Sequence, residues 1–396
     1  MRRGNRFGHA TALAVLCLFA ASLGTAQSPY FPERHDWQTK TAEEAGFDPA
    51  LLEEAVEFAV NSESNAPNDL ALNHELTFAQ EPFGSRVGPT TVRGALSGIV
   101  VKDGYIVREW GPSKKVDMTF SVSKTFLSTA VGLLYDKGLI ASVDDRVGPY
   151  MPDDELFGSD HNQSITWDHL LRQTSDWQGT LFGKPDWADR PVGDHPFEYP
   201  DRPMHKPGTH YKYNDVRVNL LALSALHVVR DPLPLVLRKG IMDPIGASNR
   251  WRWHGYENSW VMIDGRNVQS VSGGGHWGGG MHISGRDLAR FGYLFLRMGN
   301  WKGKQLISEE WIGMARTPGD VNPSYGYMNW FLNGPVERDG EMVKSIPDAP
   351  DTAVTFRGAG SNIVYVDWEN DLVVVVRWIQ GGAVSPFIGK VLAALR

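Results

Sequence analysis

The chain is almost without cysteine: the only one, Cys17, lies in an apolar run near the N-terminus. Three arginines precede this run over 12–23, and the small residues 24–26 follow it, which is typical of a cleaved secretory signal. We therefore predict a signal peptide over 1–26 and export to a bacterial periplasm or the exterior. The remaining chain has no cysteine, which excludes disulfides, thiolate metal sites and a thiol nucleophile.

The chain also lacks an excess of positive charge. Its formal net charge is −7, and removal of the three signal arginines makes it −10. Such a charge disfavours nucleic acid and anionic lipid surfaces as partners. The apolar run over 12–23 is shorter than a membrane span requires. We expect no nucleic-acid partner and no membrane span, and the sequence leaves the oligomeric state open.

Several chemical signatures are missing as well. The glycine-rich segment 273–282 has neither the Lys-Ser/Thr of a phosphate loop nor a dinucleotide pattern, and we expect a turn or a cleft rim there. Its His276 and His282 are candidate metal ligands, but no third ligand is near in sequence. We expect no metal and no cofactor. No Gly-x-Ser-x-Gly elbow occurs, although a Ser-His-Asp triad stays open. The pairs Asp144-Asp145 and Asp153-Asp154 are typical of turns rather than of a glycosidase.

The most informative segment that is present is Ser121-Val122-Ser123-Lys124. The hydroxyl of Ser121 and the amine of Lys124 are three residues apart, so on a helix both face the same side. A lysine in that position can help to remove the serine proton. Because short Ser-x-x-Lys matches arise by chance, the surrounding sequence has to decide.

An apolar helix pattern follows Ser121, and Gly138 is a plausible C-terminal stop. A helix that is apolar over most of its surface is buried. Burial and the positive end of the helix disfavour a protonated Lys124, so we expect a neutral amine that can act as a base. The alternative is that Ser121 or Ser123 caps a core helix and that Lys124 is solvated.

Strand patterns lie at both ends of the mature chain, and helix patterns dominate the middle. The strand patterns are a hairpin over 99–108 with an Asp103-Gly104 turn, then 362–367 and 372–377. The helix patterns cover 42–61, 167–173, 216–229, 286–298 and 387–395, the last with Ser385 as its cap. We predict an α+β fold with an α/β lobe (27–138 and 351–396) and an α-rich lobe (139–350).

These motifs resemble those of the serine β-lactamase and penicillin-binding protein superfamily. Residues 120–126, 138–145 with 150–152, and 165–175 are similar to its nucleophile helix and the stretches that follow it. The chain is most similar to the class C-type branch, with its carboxylesterases and 6-aminohexanoate-dimer hydrolases. The resemblance implies a single catalytic domain over 27–396. It also implies an antiparallel β-sheet that both chain ends form, flanked by helices, with a large, mostly helical insertion.

The second motif of the superfamily is Tyr-x-Asn between a Pro-Gly turn and a helix. In this chain Tyr213 has that context after Pro207-Gly208, but Asp215 replaces the asparagine. By alternation along a strand, Tyr211 is the near rival. The literal matches at Tyr256 and Tyr327 lack the Pro-Gly turn followed by a helix.

The third motif, Lys-Thr-Gly or a His/Trp-x-Gly variant, is not literally present. The best-placed substitute is Arg357-Gly358, directly before the penultimate strand. The resemblance implies that Ser121, Lys124 and Tyr213 are catalytic. Asp215, Arg357 and Gly358 are the candidates for oxyanion or substrate binding.

The function that follows is a serine hydrolase that forms an acyl-enzyme on a carboxylic ester or amide. The expected partner is therefore a small-molecule ester, amide or peptide-like substrate. Three alternatives remain open: a penicillin-binding or sensor protein that acylates without efficient turnover, a true class C-type β-lactamase or D-amino peptidase, and an interaction protein with an accidental Ser-x-x-Lys.

Overall fold

The computed structural model describes residues 29–152, 155–191, 202–331, 333–334 and 336–396, together with Met1. The predicted signal peptide and the Asp153-Asp154 pair lie outside the described residues, so those two predictions stay untested.

The strands fall into one large sheet, a second smaller sheet and several short hairpins. In chain order they are β1 Ser97–Lys102, β2 Tyr105–Trp110, β3 Asp117–Met118, β4 Thr180–Leu181, β5 Lys184–Pro185, β6 Arg252–Ile263, β7 Arg266–Val271, β8 Gly280–Ile283, β9 Asn300–Trp301, β10 Lys304–Gln305, β11 Val336–Arg338, β12 Glu341–Val343, β13 Val354–Gly358, β14 Asn362–Asp367 and β15 Leu372–Arg377.

The helices separate the strands of the two chain ends. In chain order they are α1 Pro49–Val60, α2 Leu70–Leu76, α3 Ser123–Asp136, α4 Trp167–Leu171, α5 Asp215–Val229, α6 Leu233–Leu237, α7 Gly285–Leu296, α8 Glu309–Ala315 and α9 Val384–Ala393. No single helix in the described ranges is long and apolar enough to cross a membrane, whereas one pair bent by 74°, Asp215–Val229 with Leu233–Met242, passes the test of length and composition together.

The large sheet has the strand order β13-β14-β15-β1-β2, and every neighbouring pair is antiparallel. Both ends of the chain therefore build it, which confirms the predicted architecture. Val375 pairs with Ile99 and Val364, while Val374 pairs with Val100 and Tyr365. Because side chains alternate along a strand, the two sets face opposite sides of the sheet.

Helices cover both faces of this sheet. On one side α7 packs against β14 and β15, and on the other α1 and α9 pack together over the face that carries Val374. The six residues of β15 are all buried, which explains why its sequence is a continuous apolar run rather than an alternating one. Burying each valine there stabilises the fold by about 2 kcal/mol.

The Asp103-Gly104 turn forms the predicted hairpin between β1 and β2. Asp103 has a φ of 54° and Gly104 a φ of 88°. Positive φ at both central residues matches the twist of a two-residue hairpin, and an Asp-Gly pair adopts these angles easily.

Helix α3 is buried on all sides, as predicted. Residues 123–134 are buried without exception, and α3 packs against α5. Gly138, with a φ of 67°, follows the end of the helix as the expected stop signal. The final helix differs from the prediction, because it begins at Val384 and Ser385 does not cap it.

The sequence analysis did not predict the second sheet, which has the order β3-β8-β6-β7. Arg377 of β15 joins the two sheets: its guanidinium donates to the carbonyl oxygens of Ile283 and Met118 at 2.7 and 2.8 Å and to Asn362 Oδ1 at 2.8 Å. Burial lowers the pKa of Arg377 to about 10. This clamp fixes β3, and the chain continues from β3 directly into Ser121.

Candidate active site

Ser121 lies in a short 3₁₀ turn, Phe120–Val122, that leads into α3. The side chain of Ser123 anchors this turn: its Oγ donates to the carbonyl oxygen of Phe120 at 2.6 Å and accepts from the amide of Met281 at 2.7 Å. Phe120 itself has a φ of 50°, which non-glycine residues seldom adopt. The turn is therefore tied to β8, and Ser121 is held at the start of a buried helix.

The structure brings Lys124 to Ser121, one helical turn away. Lys124 Nζ lies 2.9 Å from Ser121 Oγ, and the lysine side chain is only 1% exposed. The solvated lysine of the alternative interpretation is therefore not found.

Lys124 also binds a carboxylate, which the sequence analysis did not anticipate. Its Nζ lies 2.8 Å from Asp215 Oδ1, and Asp215 is fully buried. Burial alone would raise the pKa of Asp215, but the charges of Lys124 and Arg190 hold it well below its usual range. The amine of Lys124 therefore has a buried carboxylate as a partner, and its neutral form stays a prediction.

Asp215 is the first residue of α5, and its position also corrects its predicted role. It lies behind Lys124, with Oδ2 2.9 Å from Arg190 Nη1, and does not line the cavity described below. It is thus the partner of Lys124 rather than a substrate contact.

The ring of Tyr213 lies between two cations. Its centroid is 4.6 Å from Lys124 Nζ and 4.9 Å from Arg190 Cζ. Trp330 and Tyr325 support the ring on other sides, at 5.5 and 6.0 Å between centroids. Tyr213 therefore faces the same site as Ser121 and Lys124.

The rival tyrosines lie elsewhere. Tyr211 packs on Tyr325 outside the cavity, and burial raises its pKa well above the usual range. Tyr256 is buried and accepts hydrogen bonds from Asn219 and Ser272. The hydroxyl of Tyr327 donates to Asp168 at 2.7 Å. The structure thus favours Tyr213 over the other candidates.

Gly358 lets strand β13 approach the nucleophile closely. A Cβ atom at this position would lie 2.0 Å from the carbonyl oxygen of Thr119 and 3.2 Å from the amide nitrogen of Ser121. Only glycine fits such an approach, since any other residue would collide with the backbone. The edge strand therefore lies where a second oxyanion donor is needed.

An open cavity of about 400 Å³ joins these groups. Arg357 and Gly358 lie on its wall, together with Ser121 and Tyr213, so four predicted site residues share one space. The lining residues are Phe78, Phe120, Ser121, Arg190, Tyr213, Gly274, His276, Trp330, Arg357, Gly358 and Ala359.

The sequence did not reveal that four residues gather near the site: Glu81, Asp189, Arg190 and His276. Arg190 Nη1 lies 2.5 Å from Asp189 Oδ1, and His276 Nε2 lies 2.8 Å from Glu81 Oε2 and 3.7 Å from Asp189 Oδ1. They come from three separate loops, and no local pattern marks them. Only the position of His276 in the glycine-rich rim was a signal.

The same residues bear on metal binding. Ligand atoms of Glu81, Asp189 and His276 lie within 4.8 Å of one another, so they could hold a metal ion. His282 does not join them: its ring packs on His254, and burial lowers its pKa to about 4. Arg190 and the backbone amide of Asp215 already bind Asp189.

Comparison with known proteins agrees with this geometry. A family model described as Beta-lactamase matches residues 91–380. The match covers well over half of the chain, and the chain belongs to the beta-lactamase family. No curated protein matches it.

Solved structures with similar folds include three of different description. EstCE1, a hydrolase with promiscuous acyltransferase activity, has a TM-score of 0.55 and 14% identity over 87% of this chain and 98% of its own. A penicillin-binding protein homologue from Caulobacter crescentus has a TM-score of 0.54 and 16% identity over 88% of this chain and 97% of its own. A protein described as a 6-aminohexanoate-dimer hydrolase from Bacillus anthracis has a TM-score of 0.53 and 16% identity over 92% of this chain and 97% of its own. At these identities the likeness shows the fold alone.

Proposed function

We propose that this protein is a serine hydrolase that cleaves carboxylic esters or amides through an acyl-enzyme. One observation carries the proposal: Ser121 Oγ is 2.9 Å from Lys124 Nζ, and the ring of Tyr213 lies over the same amine at an open cavity. The amine of Lys124 thus contacts both the hydroxyl of Ser121 and the ring of Tyr213, and an amine and a phenol beside a hydroxyl can move the protons that acyl transfer requires.

The first half of the reaction acylates Ser121. Tyr213, whose ring lies between Lys124 and Arg190, takes the proton of Ser121, and Oγ bonds to the substrate carbonyl carbon. Lys124 Nζ donates to Oγ and stabilises its developing negative charge. The amide of Ser121 and an amide from the segment 358–361 hold the carbonyl oxygen, and each such donor contributes on the order of 3 kcal/mol.

The second half releases the products. When the tetrahedral intermediate collapses, the bond to the leaving group breaks and Tyr213 returns its proton to that oxygen or nitrogen. Tyr213 then takes a proton from water, which attacks the acyl carbon. When the bond between Oγ and the acyl carbon breaks, Tyr213 returns this proton to Oγ, and both Ser121 and Tyr213 are restored. All proton movements are thus assigned to side chains of this chain.

The edge strand favours esters or linear amides over β-lactams as substrates. The resemblance implies Lys-Thr-Gly or His/Trp-x-Gly on this strand in the superfamily, whereas β13 carries Phe356-Arg357-Gly358. The close approach at Gly358 is kept, but the side chains that face the substrate differ.

A small substrate panel tests the proposal. We expect p-nitrophenyl acetate to turn over many times per enzyme, with an acyl adduct on Ser121 that quenching and intact-protein mass spectrometry detect. Turnover of an aminohexanoate dimer and of a chromogenic cephalosporin, compared with that of the ester, then shows whether the enzyme also accepts linear amides or β-lactams. A burst of one equivalent without steady-state turnover would instead identify a sensor, and no reaction with any substrate would contradict the proposal.

Arg357 leads to a prediction about substrate charge. Within the described part of the chain it forms no ion pair, and its guanidinium is at the wall of the cavity that holds Ser121. We expect Arg357→Gln to lower kcat/KM for mono-p-nitrophenyl glutarate about 10-fold and for p-nitrophenyl valerate less than about 2-fold, because one charged hydrogen bond is lost. Arg357→Lys serves as the control that keeps the charge. An equal loss for both esters would show that Arg357 does not contact the acyl group.

A further inference from the structure

A row of alternating charges runs from Lys124 past Arg190 and His276, which line the cavity. Asp215 binds Lys124 at 2.8 Å and Arg190 at 2.9 Å, and Arg190 binds Asp189 at 2.5 Å. Beyond Asp189, His276 bridges to Glu81 at 2.8 Å. Lys124, Asp215, Asp189 and His276 are buried, so little water screens these contacts.

Arg190 is the junction of this row. The same Nη1 atom binds both carboxylates, while the guanidinium carbon lies 4.9 Å from the ring centroid of Tyr213. The backbone of Arg190 is held on both sides, because its amide donates to Glu81 at 3.3 Å and Lys212 donates to its carbonyl oxygen. Its φ of 49° is rarely adopted by a non-glycine residue. The surroundings thus fix this arginine in place.

The charges show why the arginine is needed. Asp215, Asp189 and Glu81 carry three negative charges, against which stand the cations Lys124 and Arg190 and the imidazole of His276. Burial alone would lower the pKa of Arg190, but Asp189 and Asp215 raise it above its usual range. Without Arg190, Lys124 alone would face two buried carboxylates. A buried charge that loses its partner is costly, so the group would rearrange.

We propose that Arg190 is a positioning residue: it compensates the charge of Asp215, so that Lys124 remains directed at Ser121, and it holds Tyr213 against the same amine. The proposal rests on the proposed function, because acylation of Ser121 is its readout. Asp215 and Arg190 form a matched pair, in which the carboxylate in place of a neutral asparagine requires the nearby guanidinium.

Two single variants and their combination test the pairing. Arg190→Gln removes a cation beside Tyr213 and Lys124, so we expect acylation to slow about 30-fold and the rising limb of its pH profile to move up by about one pH unit. Asp215→Asn removes an anion and should move the limb down. The double variant restores the charge balance, so the rising limb of its pH profile should return near the wild-type position. Its acylation rate should be about 10-fold higher than the rate expected if the losses of the two single variants multiplied.

Eight ionisable groups of the described residues surround Arg190. Those in direct contact with it are Glu81, Asp189, Lys212, Tyr213 and Asp215, and those one contact away are Lys124, His276 and Arg357. Each variant keeps all of these groups except those that it replaces. A change in the pH profile of acylation therefore reports on the pair of Arg190 and Asp215. Arg190→Lys keeps the positive charge and should retain the wild-type limb within about half a pH unit.

The measurement is the pH dependence of acylation by p-nitrophenyl acetate, with thermal unfolding as a check on folding. Wild-type turnover reports on the proposed function, and the comparison among variants reports on Arg190. If the rate losses of the two single variants multiply in the double variant and the rising limb of the pH profile stays in place, the role of Arg190 is overturned. The hydrolase proposal would remain intact. If Arg190→Gln fails to fold, Arg190→Lys and Asp215→Asn decide. A rising limb that moves up or stays in place in Asp215→Asn, or one that moves by more than about half a pH unit in Arg190→Lys, would contradict the pairing.

Discussion

Ser121→Ala lowers ester turnover roughly 10⁴-fold or more, if acylation of this hydroxyl is the route of the reaction. The residue does little for folding, since its Oγ contacts only Lys124 at 2.9 Å and the carbonyl of Gly274 at 3.5 Å among the described residues. Loss of the nucleophile removes the covalent intermediate, and the remaining amides and cations can only polarise a bound ester. The measurement is steady-state hydrolysis of p-nitrophenyl acetate, together with the loss of the acyl adduct in intact mass spectra.

Ser128→Ala is the matched control for this experiment. Ser128 lies in the same helix α3, is buried, and its Oγ has no hydrogen-bond partner within the ranges that the structure describes. We expect its removal to change turnover less than about 2-fold and thermal stability by less than about 1 kcal/mol. Turnover above about 1% of wild type in Ser121→Ala with this control intact would show that another group performs the reaction.

Local sequence patterns predicted the elements on which the site is built. The buried helix α3, the Asp103-Gly104 hairpin and strands β14 and β15 each follow from periodicity and turn residues within a short window. The sheet shared by both chain ends followed from the strand patterns at the two termini together with the resemblance. The contact of Ser121 with Lys124 followed from helix geometry alone, because one helical turn fixes the distance between them.

The charge environment of the site could not be predicted in the same way. The expectation of a neutral Lys124 rests on burial and the helix end, which both act locally and take no account of distant partners. Asp215 is 91 positions away in the chain, and Arg190 comes from a loop before α5. Whether a buried amine is charged depends on such partners, since one carboxylate in contact can outweigh the cost of burial.

The second sheet was missed for a related reason. Strand β6 is interrupted by polar residues and by an irregular register between Gly255 and Trp260, so it lacks a clear alternation. Strand β8 begins within the glycine-rich segment 273–282 and has only four residues. Both are stabilised by their neighbours rather than by their own pattern, as expected for strands with weak intrinsic preference.

Gly274 shows how closely the backbone packs around the buried ion pair, and it allows a second large effect to be predicted. A Cβ atom on Gly274 would lie 1.5 Å from Asp215 Oδ1 and 2.2 Å from Lys124 Nζ. Neither atom can withdraw freely, because Arg190 holds Asp215 and Ser121 contacts the amine. A methyl group must therefore separate the pair or displace the glycine-rich rim.

We expect Gly274→Ala to lower ester kcat/KM about 10³-fold and the free energy of unfolding by roughly 3 kcal/mol, the cost of breaking a buried ion pair. Gly313→Ala is the control: Gly313 lies in α8, a Cβ atom there would meet no described atom within 4 Å, and alanine favours a helix by about 1 kcal/mol. Urea unfolding and ester hydrolysis measure both quantities. Loss of activity in Gly274→Ala but not in Gly313→Ala would show that turnover depends on the close packing of the glycine-rich rim against the Lys124–Asp215 pair, whereas wild-type turnover in Gly274→Ala would contradict this dependence.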